Sequence, residues 1–226
     1  MEAVMNELLN FNETIAAGIF DGLHYPWEAL PKLKEYIAAL GPTLDPALFE
    51  QKGEHVWIAK SAEVAPSAFT GDFVIIDEGA TIRHCAFIRE SAIVGKGATV
   101  GNSTELKNVL LFNQVEAPHY NYVGDSILGF HAHMGAGSIT SNIKADRKNI
   151  VVKNDAAAFG WPERMVTGLR KFGTILGDYA EIGCNAVLNP GSVIGAHSNV
   201  YPTVSVRGVV PPGHIVKEKG VVVMKE

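Results

Sequence analysis

Large apolar residues recur along this chain at a fixed step of six. Counting from Ile58, the positions are Val64, Thr70, Ile76, Ile82, Ile88, Val94, Val100, Leu106 and Phe112, all but Thr70 large and aliphatic or aromatic. Two residues ahead the side chain is usually small, as at Ala62, Ala68, Ala80, Ala86, Ala92 and Ala98. Glycine often follows directly, as at Gly71, Gly95 and Gly101. The register slips near Pro118 and resumes irregularly at Val123-Gly124, Leu128-Gly129 and Met134-Gly135. It returns in full at Leu176, Ile182, Leu188, Ile194, Val200 and Val206, with Gly177, Gly183 and Gly195 one place behind.

A period of six matches neither the turn of a helix nor the alternation of a strand meander. A short strand and a tight turn together use about six residues, and three such units close a triangular coil of about 18. Stacked coils carry their apolar residues in inward columns, while the small residue lets the backbone turn the corner. This hexapeptide form resembles the left-handed β-helix family, so the expected fold is all-β, a left-handed parallel β-helix. An antiparallel sandwich offers no reason for a period that holds from Ile58 to Phe112.

The solenoid is expected over residues 55–226, interrupted by an excursion at about 143–172. That stretch lacks the six-fold pattern and carries Arg147, Lys148, Lys153, Arg164, Arg170 and Lys171. Ahead of the repeats, PWEALPKLKEYIAAL at 26–40 places Leu30, Leu33, Ile37 and Leu40 on one face and stops at Gly41-Pro42, which predicts one amphipathic helix. Residues 1–54 therefore read as a small helical N-terminal cap over the open first coil. The tail from Pro211 reads as a last strand, with Lys217 and Lys219 near the final coil.

Composition narrows the function classes. Of 226 residues, 47% are hydrophobic and 19% charged, enough for a core and too little charge for a disordered chain. A net charge of -5 gives no global field for nucleic acid or an anionic membrane, so any anion site is local. The start, MEAVMNELLN, has no basic leader and no apolar run is long enough to span a bilayer, which predicts a cytoplasmic protein. Cys85 and Cys184 form no CxxC pair, so neither a disulfide framework nor a cysteine zinc site is expected.

Spacing then picks out candidate chemistry. Arg89 and Lys107 are one 18-residue coil apart, so they stack on adjacent rungs at about 4.8 Å. Two like charges there repel unless an anion lies between them, which points to a phosphate or carboxylate ligand. The alternative is that both are solvated or paired with Glu90 and Glu105. His119 sits where the register breaks and is the side chain best suited to take a proton near neutral pH; the alternative is a purely structural histidine. His131 and His133 share a strand face, and with His119 would make a three-histidine zinc site if they converged.

The stretch GNSTELKNVLLFNQVEAPHYNYVGDSILGFHAHMGAGSITSN, Gly101 to Asn142, resembles the acetyltransferase half of the bacterial bifunctional N-acetylglucosamine-1-phosphate uridyltransferase/glucosamine-1-phosphate acetyltransferase. GLRKFGTILGDYAEIGCNAVLNPG at 168–191 is similar to the return into the helix of archaeal sugar-1-phosphate nucleotidylyltransferase/acetyltransferases. Nothing in the chain resembles their nucleotidylyltransferase domain. The resemblance, over about 89–206, implies acetyl transfer from acetyl-coenzyme A to the amine of a hexosamine 1-phosphate, with no metal required and a homotrimer sharing sites between chains.

Carried over by position, the resemblance makes Arg89 and Lys107 the cations for the sugar phosphate and His119 the catalytic base. Glu105 would orient that histidine. Tyr122, Asn142 and Lys148 would contact the sugar phosphate, and Ala136, Cys184 and Pro202 would line the coenzyme A groove, mostly through backbone groups. His133 stands where the bacterial enzymes carry asparagine and Ile143 where they carry tyrosine, which leaves the sugar open. Two other readings remain: a zinc hydratase of the γ-carbonic-anhydrase type, and a non-catalytic trimer that binds sugar nucleotides.

Overall fold

The computed structural model describes residues 5–218 and 220–225; residues 1–4, Glu226 and Lys219, expected beside the final coil, lie outside the described residues. The chain winds as a left-handed parallel β-helix whose strands form a 12-stranded and a 9-stranded sheet, with a two-stranded hairpin besides. The larger sheet supplies two faces of the triangle, because Phe69–Ile76, Phe87–Val94, Glu105–Leu111 and Tyr122–Leu128 each bend midway. The bends fall at Phe73, Ser91, Asn108 and Asp125, all with left-handed φ near 50° (56°, 53°, 54° and 48°). We call the stretch before this bend the first face and the stretch after it the second; the 9-stranded sheet is the third.

The expected inward column is present: Ile76, Ile82, Ile88, Val94, Val100 and Leu106 are buried. Val64 belongs to the same column yet is exposed, since the third face ends at Glu63–Val64 with no rung below it. The corners are made differently from expectation. A left-handed residue turns the chain, as at Cys85, and the small residue after it, Ala86, fills the inside of the bend.

The slip expected near Pro118 lies about ten residues earlier, at Lys107-Asn108. Ile88 pairs with Leu106, eighteen residues on, but Ala92 pairs with Val109, only seventeen on. The shorter step persists through Tyr122↔Ile139, and eighteen returns at Thr174↔Ser192. Leu111, partner of Val94, thus takes the inward place expected for Phe112. Phe112 turns outward and packs against Phe11 and Phe20, ring centroids 6.4 and 6.1 Å away.

Those two phenylalanines belong to the N-terminal segment, which does more than cover the first coil. On the second face the outward residues Ile75, Ile93, Leu110, Ile127, Ile175 and Val193 are as buried as their inward neighbours. Strands covered on both sides read as unbroken apolar runs, here VII, AIV and VLL. Ile19, Ala29, Leu30 and Leu33 meet Leu110 and Ile127 across this contact. The helix expected at 26–40 is a 3₁₀ turn over Pro26–Lys32 followed by an α-helix, α1, over Leu33–Leu40. Pro31, with no N–H and a ring that crowds the preceding turn, accounts for the change of winding. A Cβ on Gly41, where α1 stops, would collide with the Trp57 indole, so that glycine also seats the first coil.

Phe49–Gly53 continues the segment as an antiparallel strand on Val56–Ala59, and His214–Glu218 folds back antiparallel on Val221–Met224 at the far end. The excursion is an ordered hairpin, Val151–Lys153 against Arg164–Val166, with its neck closed by an Ile143↔Lys171 bridge. Its Trp161 packs on Tyr25 and Trp27, each at 5.5 Å. Above it the ladder resumes with Ile127 on Ile175. No helix among the described residues is long and apolar enough to cross a membrane.

Asp178 pins the N-terminal segment to the coil. Its two oxygens accept from the backbone N–H groups of Phe130 and Asn10, both at 2.8 Å. Burial, the largest cause, pushes its carboxyl above the usual range despite those bonds. The raised value means that the folded state holds the proton more tightly than the unfolded chain. The stability this supplies is complete below the ordinary carboxylate value and is lost as pH rises through the raised one. Asp178→Asn, which keeps one acceptor of the two, should lower the unfolding free energy in urea by about 1–2 kcal/mol at pH 7. The deficit should widen at pH 4; a deficit that narrows there would contradict the assignment.

Candidate active site

Two corners of the solenoid hold the expected site residues. At the corner between first and second faces lies a polar ledge. Arg89 and Lys107 point outward there, but neither cation is left open. The Arg89 guanidinium donates to Glu105 at 3.0 Å and lies 3.8 Å from Glu90, and Lys107 Nζ donates to Asp125 at 3.0 Å. The stacked cations are therefore neutralised within the chain, and a phosphate binding them must share or displace these carboxylates. The Glu105 bond holds Arg89 above its usual value. Glu105, expected to orient His119, is committed to Arg89 instead.

Asp125 is the hub of the ledge and a residue that the sequence reading passed over. Besides Lys107 it accepts from the side-chain amides of Asn108, at 3.0 Å, and Asn142. Asn142 also donates to the Tyr122 hydroxyl at 3.1 Å. Burial pushes the Tyr122 phenol up, and the negative charges of Asp125 and Glu105 add to it, so the hydroxyl stays protonated with its hydrogen free to donate outward. Arg89, Glu105, Lys107, Tyr122 and Asn142 are thus brought together. Lys148 is not; it sits in an exposed turn held by its backbone N–H to Asp146, and its side chain has no ion pair or hydrogen bond among the described residues.

The second corner, between third and first faces, aligns His119, Ala136, Cys184 and Pro202 in one column. The N–H of Gly137 reaches the His119 carbonyl at 3.0 Å, that of Asn185 reaches Ala136 at 2.9 Å, and that of Thr203 reaches Cys184 at 2.8 Å. His119, Ala136 and Cys184 line one cleft of about 410 Å³ with Arg83, Glu116 and His133. The Gly135 N–H is used by the Ile182 carbonyl at 2.7 Å, whereas the Ala136 N–H has no acceptor among the described residues. Gly135 itself is required, since a Cβ would strike the backbone of Cys184 and Gly183 in the next coil.

His119 is exposed and its imidazole makes no hydrogen bond among the described residues. Its backbone is held from below by Asn121, whose Oδ1 accepts the His119 N–H at 3.1 Å. The Asn121 amide donates to the carbonyls of Gly135 and Ser138 at 2.9 and 3.0 Å. Thr104, Asn121 and Ser138 are buried in the place that Ala86 and Ala186 occupy in other coils. That run of polar residues in an alanine column was visible in the sequence and marks the corner that carries His119.

The three-histidine zinc site does not form. His131 sits at a different corner, stacked on Tyr179 at 5.3 Å, and His133 pairs with Glu181 at 3.1 Å. Among the described residues no three His, Cys, Asp or Glu side chains converge to hold a metal within the chain.

Fold and site together define a hexapeptide-repeat protein with a polar ledge and a histidine-bearing corner cleft. By sequence the chain resembles the acetyltransferase half of two-domain sugar-phosphate enzymes. The bifunctional protein GlmU of Methanococcus maripaludis is 36% identical over 98 residues, 43% of this chain and 22% of that protein. The bifunctional sugar-1-phosphate nucleotidylyltransferase/acetyltransferase of Sulfurisphaera tokodaii is 32% identical over 102 residues, 45% of this chain and 24% of that one. The match thus spans less than a quarter of either relative. Among solved structures, a hexapeptide transferase family protein from Anaplasma phagocytophilum aligns over 76% of this chain and 81% of its own, at 16% identity and a TM-score of 0.38. No family model matches the chain.

Asn121→Ala should leave the His119 N–H and the Ser138 corner without their buried partner. A loss of about 1–3 kcal/mol in unfolding free energy is expected, read by chemical denaturation; an unchanged midpoint would show that Asn121 does not hold the corner.

Proposed function

We propose that the protein is an acetyl-CoA-dependent N-acetyltransferase acting on the amine of a phosphate-bearing amino sugar, a hexosamine 1-phosphate being the simplest. The observation that carries this reading is the corner column, which brings His119 into one cleft with Ala136 and Cys184. Exposed backbone along that corner suits the amide-rich arm of coenzyme A. The partial sequence match to enzymes named as acetyltransferases supports the same chemistry.

An amino sugar is largely an ammonium near neutral pH and cannot attack a thioester in that form, so the nucleophile is the neutral amine left when the ammonium has released one proton to solvent. His119 accepts a proton from the amine as the C–N bond forms, the tetrahedral oxyanion faces the Ala136 N–H, and the C–S bond then breaks. The proton passes from His119 to the departing thiolate, giving amide and free thiol. On the ledge, Tyr122 donates to the sugar, Asn142 accepts, and Arg89 and Lys107 exchange part of their carboxylate pairing for phosphate. Ledge and column lie at opposite edges of the first face, which supports a homotrimer in which the ledge of one chain completes the column of its neighbour. Lys148, whose side chain has no hydrogen bond or ion pair to the ledge of its own chain among the described residues, would then serve a neighbour's site.

His119→Ala should lower turnover by about 10²–10⁴, followed by thiol release from acetyl-CoA, with coenzyme A affinity and melting temperature near wild type. Near-normal turnover per folded molecule would make His119 structural and remove this mechanism. Arg89→Ala should weaken the sugar phosphate by something like 1.5–3 kcal/mol if the guanidinium meets it directly. Unchanged affinity would mean that Glu105 keeps Arg89 for itself.

A further inference from the structure

Beside the ledge lies a cleft of about 550 Å³ between the neck of the excursion and the N-terminal segment, a size ordinary for small-molecule sites. Arg147, Arg170 and Lys171 line it, and all three are exposed. Unlike Arg89 and Lys107, none of the three has an ion pair or a side-chain hydrogen bond among the described residues. The one carboxylate in the lining, Asp125, is already held by Lys107 and two amides. Leu30 and Pro31 add an apolar wall.

Three uncompensated cations repel one another and draw an anion of matching charge. A monophosphate carries at most two negative charges, and the ledge already offers it Arg89 and Lys107. The remaining three can reach both phosphoryl groups of a diphosphate, which carries two negative charges when esterified to a sugar and about three when free, and an apolar wall beside them fits the flat face of an attached base. Asp125 belongs to both ledge and cleft, so one ligand can span the two.

We propose that the cleft is a nucleoside diphosphate site and that the acceptor is a nucleotide-linked amino sugar, its sugar over the ledge and its diphosphate reaching from Arg89 and Lys107 to Arg147, Arg170 and Lys171. The anion site stands on the charge pattern alone, while the role of the amine rests on the acetyl-transfer reading. The excursion would then select the substrate, its neck supplying the charges and the N-terminal segment the wall.

Calorimetry with uridine diphosphate as the probe tests the cleft. Binding to the wild type should be at least about tenfold tighter than that of orthophosphate, and the double variant Arg170→Ala/Lys171→Ala should weaken it by about tenfold or more. The charge-matched control Lys153→Ala/Arg164→Ala, on the hairpin and outside the cleft lining, should change it little. Equal affinity for the two anions, or an equal loss in the control, overturns the site. Thiol release from acetyl-CoA then compares uridine-diphosphate glucosamine with glucosamine 1-phosphate. A clearly higher kcat/KM for the nucleotide sugar is expected, and parity or a preference for the monophosphate overturns the acceptor assignment. If neither acceptor releases thiol while the cleft variant still loses uridine diphosphate, the transferase reading and its acceptor fall and the nucleoside diphosphate site is upheld.

Discussion

Along the corner that carries His119, from Ser103 onward, the N–H of each left-handed residue reaches back to a carbonyl in the adjacent coil. Ser103 bonds His84, Tyr120 bonds Asn102 and Gly137 bonds His119, and the series runs on to Thr203 and Cys184. Holding non-glycine residues at positive φ costs roughly 1 kcal/mol each, and Ser103 and Tyr120 both sit there. The ladder offsets that cost because every corner satisfies backbone groups of its neighbour. Side chains at one corner are consequently held in file, and a residue's place in the file is decided by backbone pairing more than by its own contacts.

That constraint explains why the site divides in two. The column offers exposed backbone and a single imidazole, suited to a long amide-bearing donor and one proton transfer. The ledge offers side chains whose charges are largely matched, Arg89 with Glu105 and Lys107 with Asp125. Matched pairs orient a ligand through directional hydrogen bonds while contributing little net field. The unmatched charge lies in the neighbouring cleft, supplied by the excursion rather than by the repeats. Positioning and attraction are thus assigned to different parts of the chain.

Much of this was legible in the six-residue period. Inward columns, parallel coils, the excursion and the grouping of Arg89, Lys107, Tyr122 and Asn142 all follow from it together with the resemblance. What escaped had definite physical causes. A count by six follows only inward residues, so the doubly buried second face and the N-terminal segment along it went unread, although VII, AIV and VLL announce it. One residue lost at the Lys107-Asn108 corner shifted Phe112 out of the core. Asp125 stands eighteen residues beyond Lys107, and extending the count by one more coil would have found it. The partner of Glu105 depends on side-chain reach rather than register, which no periodicity reports.

The forty-eight-residue step from Ile127 to Ile175 has a consequence in loop-closure entropy. Bringing together the ends of such a segment, in place of an eighteen-residue coil, costs only about 0.9 kcal/mol more, because the penalty grows with the logarithm of length. That is comparable to a single net hydrogen bond. A solenoid of this kind can therefore lengthen or replace a recognition loop at a corner at small thermodynamic cost, leaving the rungs on either side in register. The loop can drift in sequence while the corner that carries His119 stays where the ladder puts it.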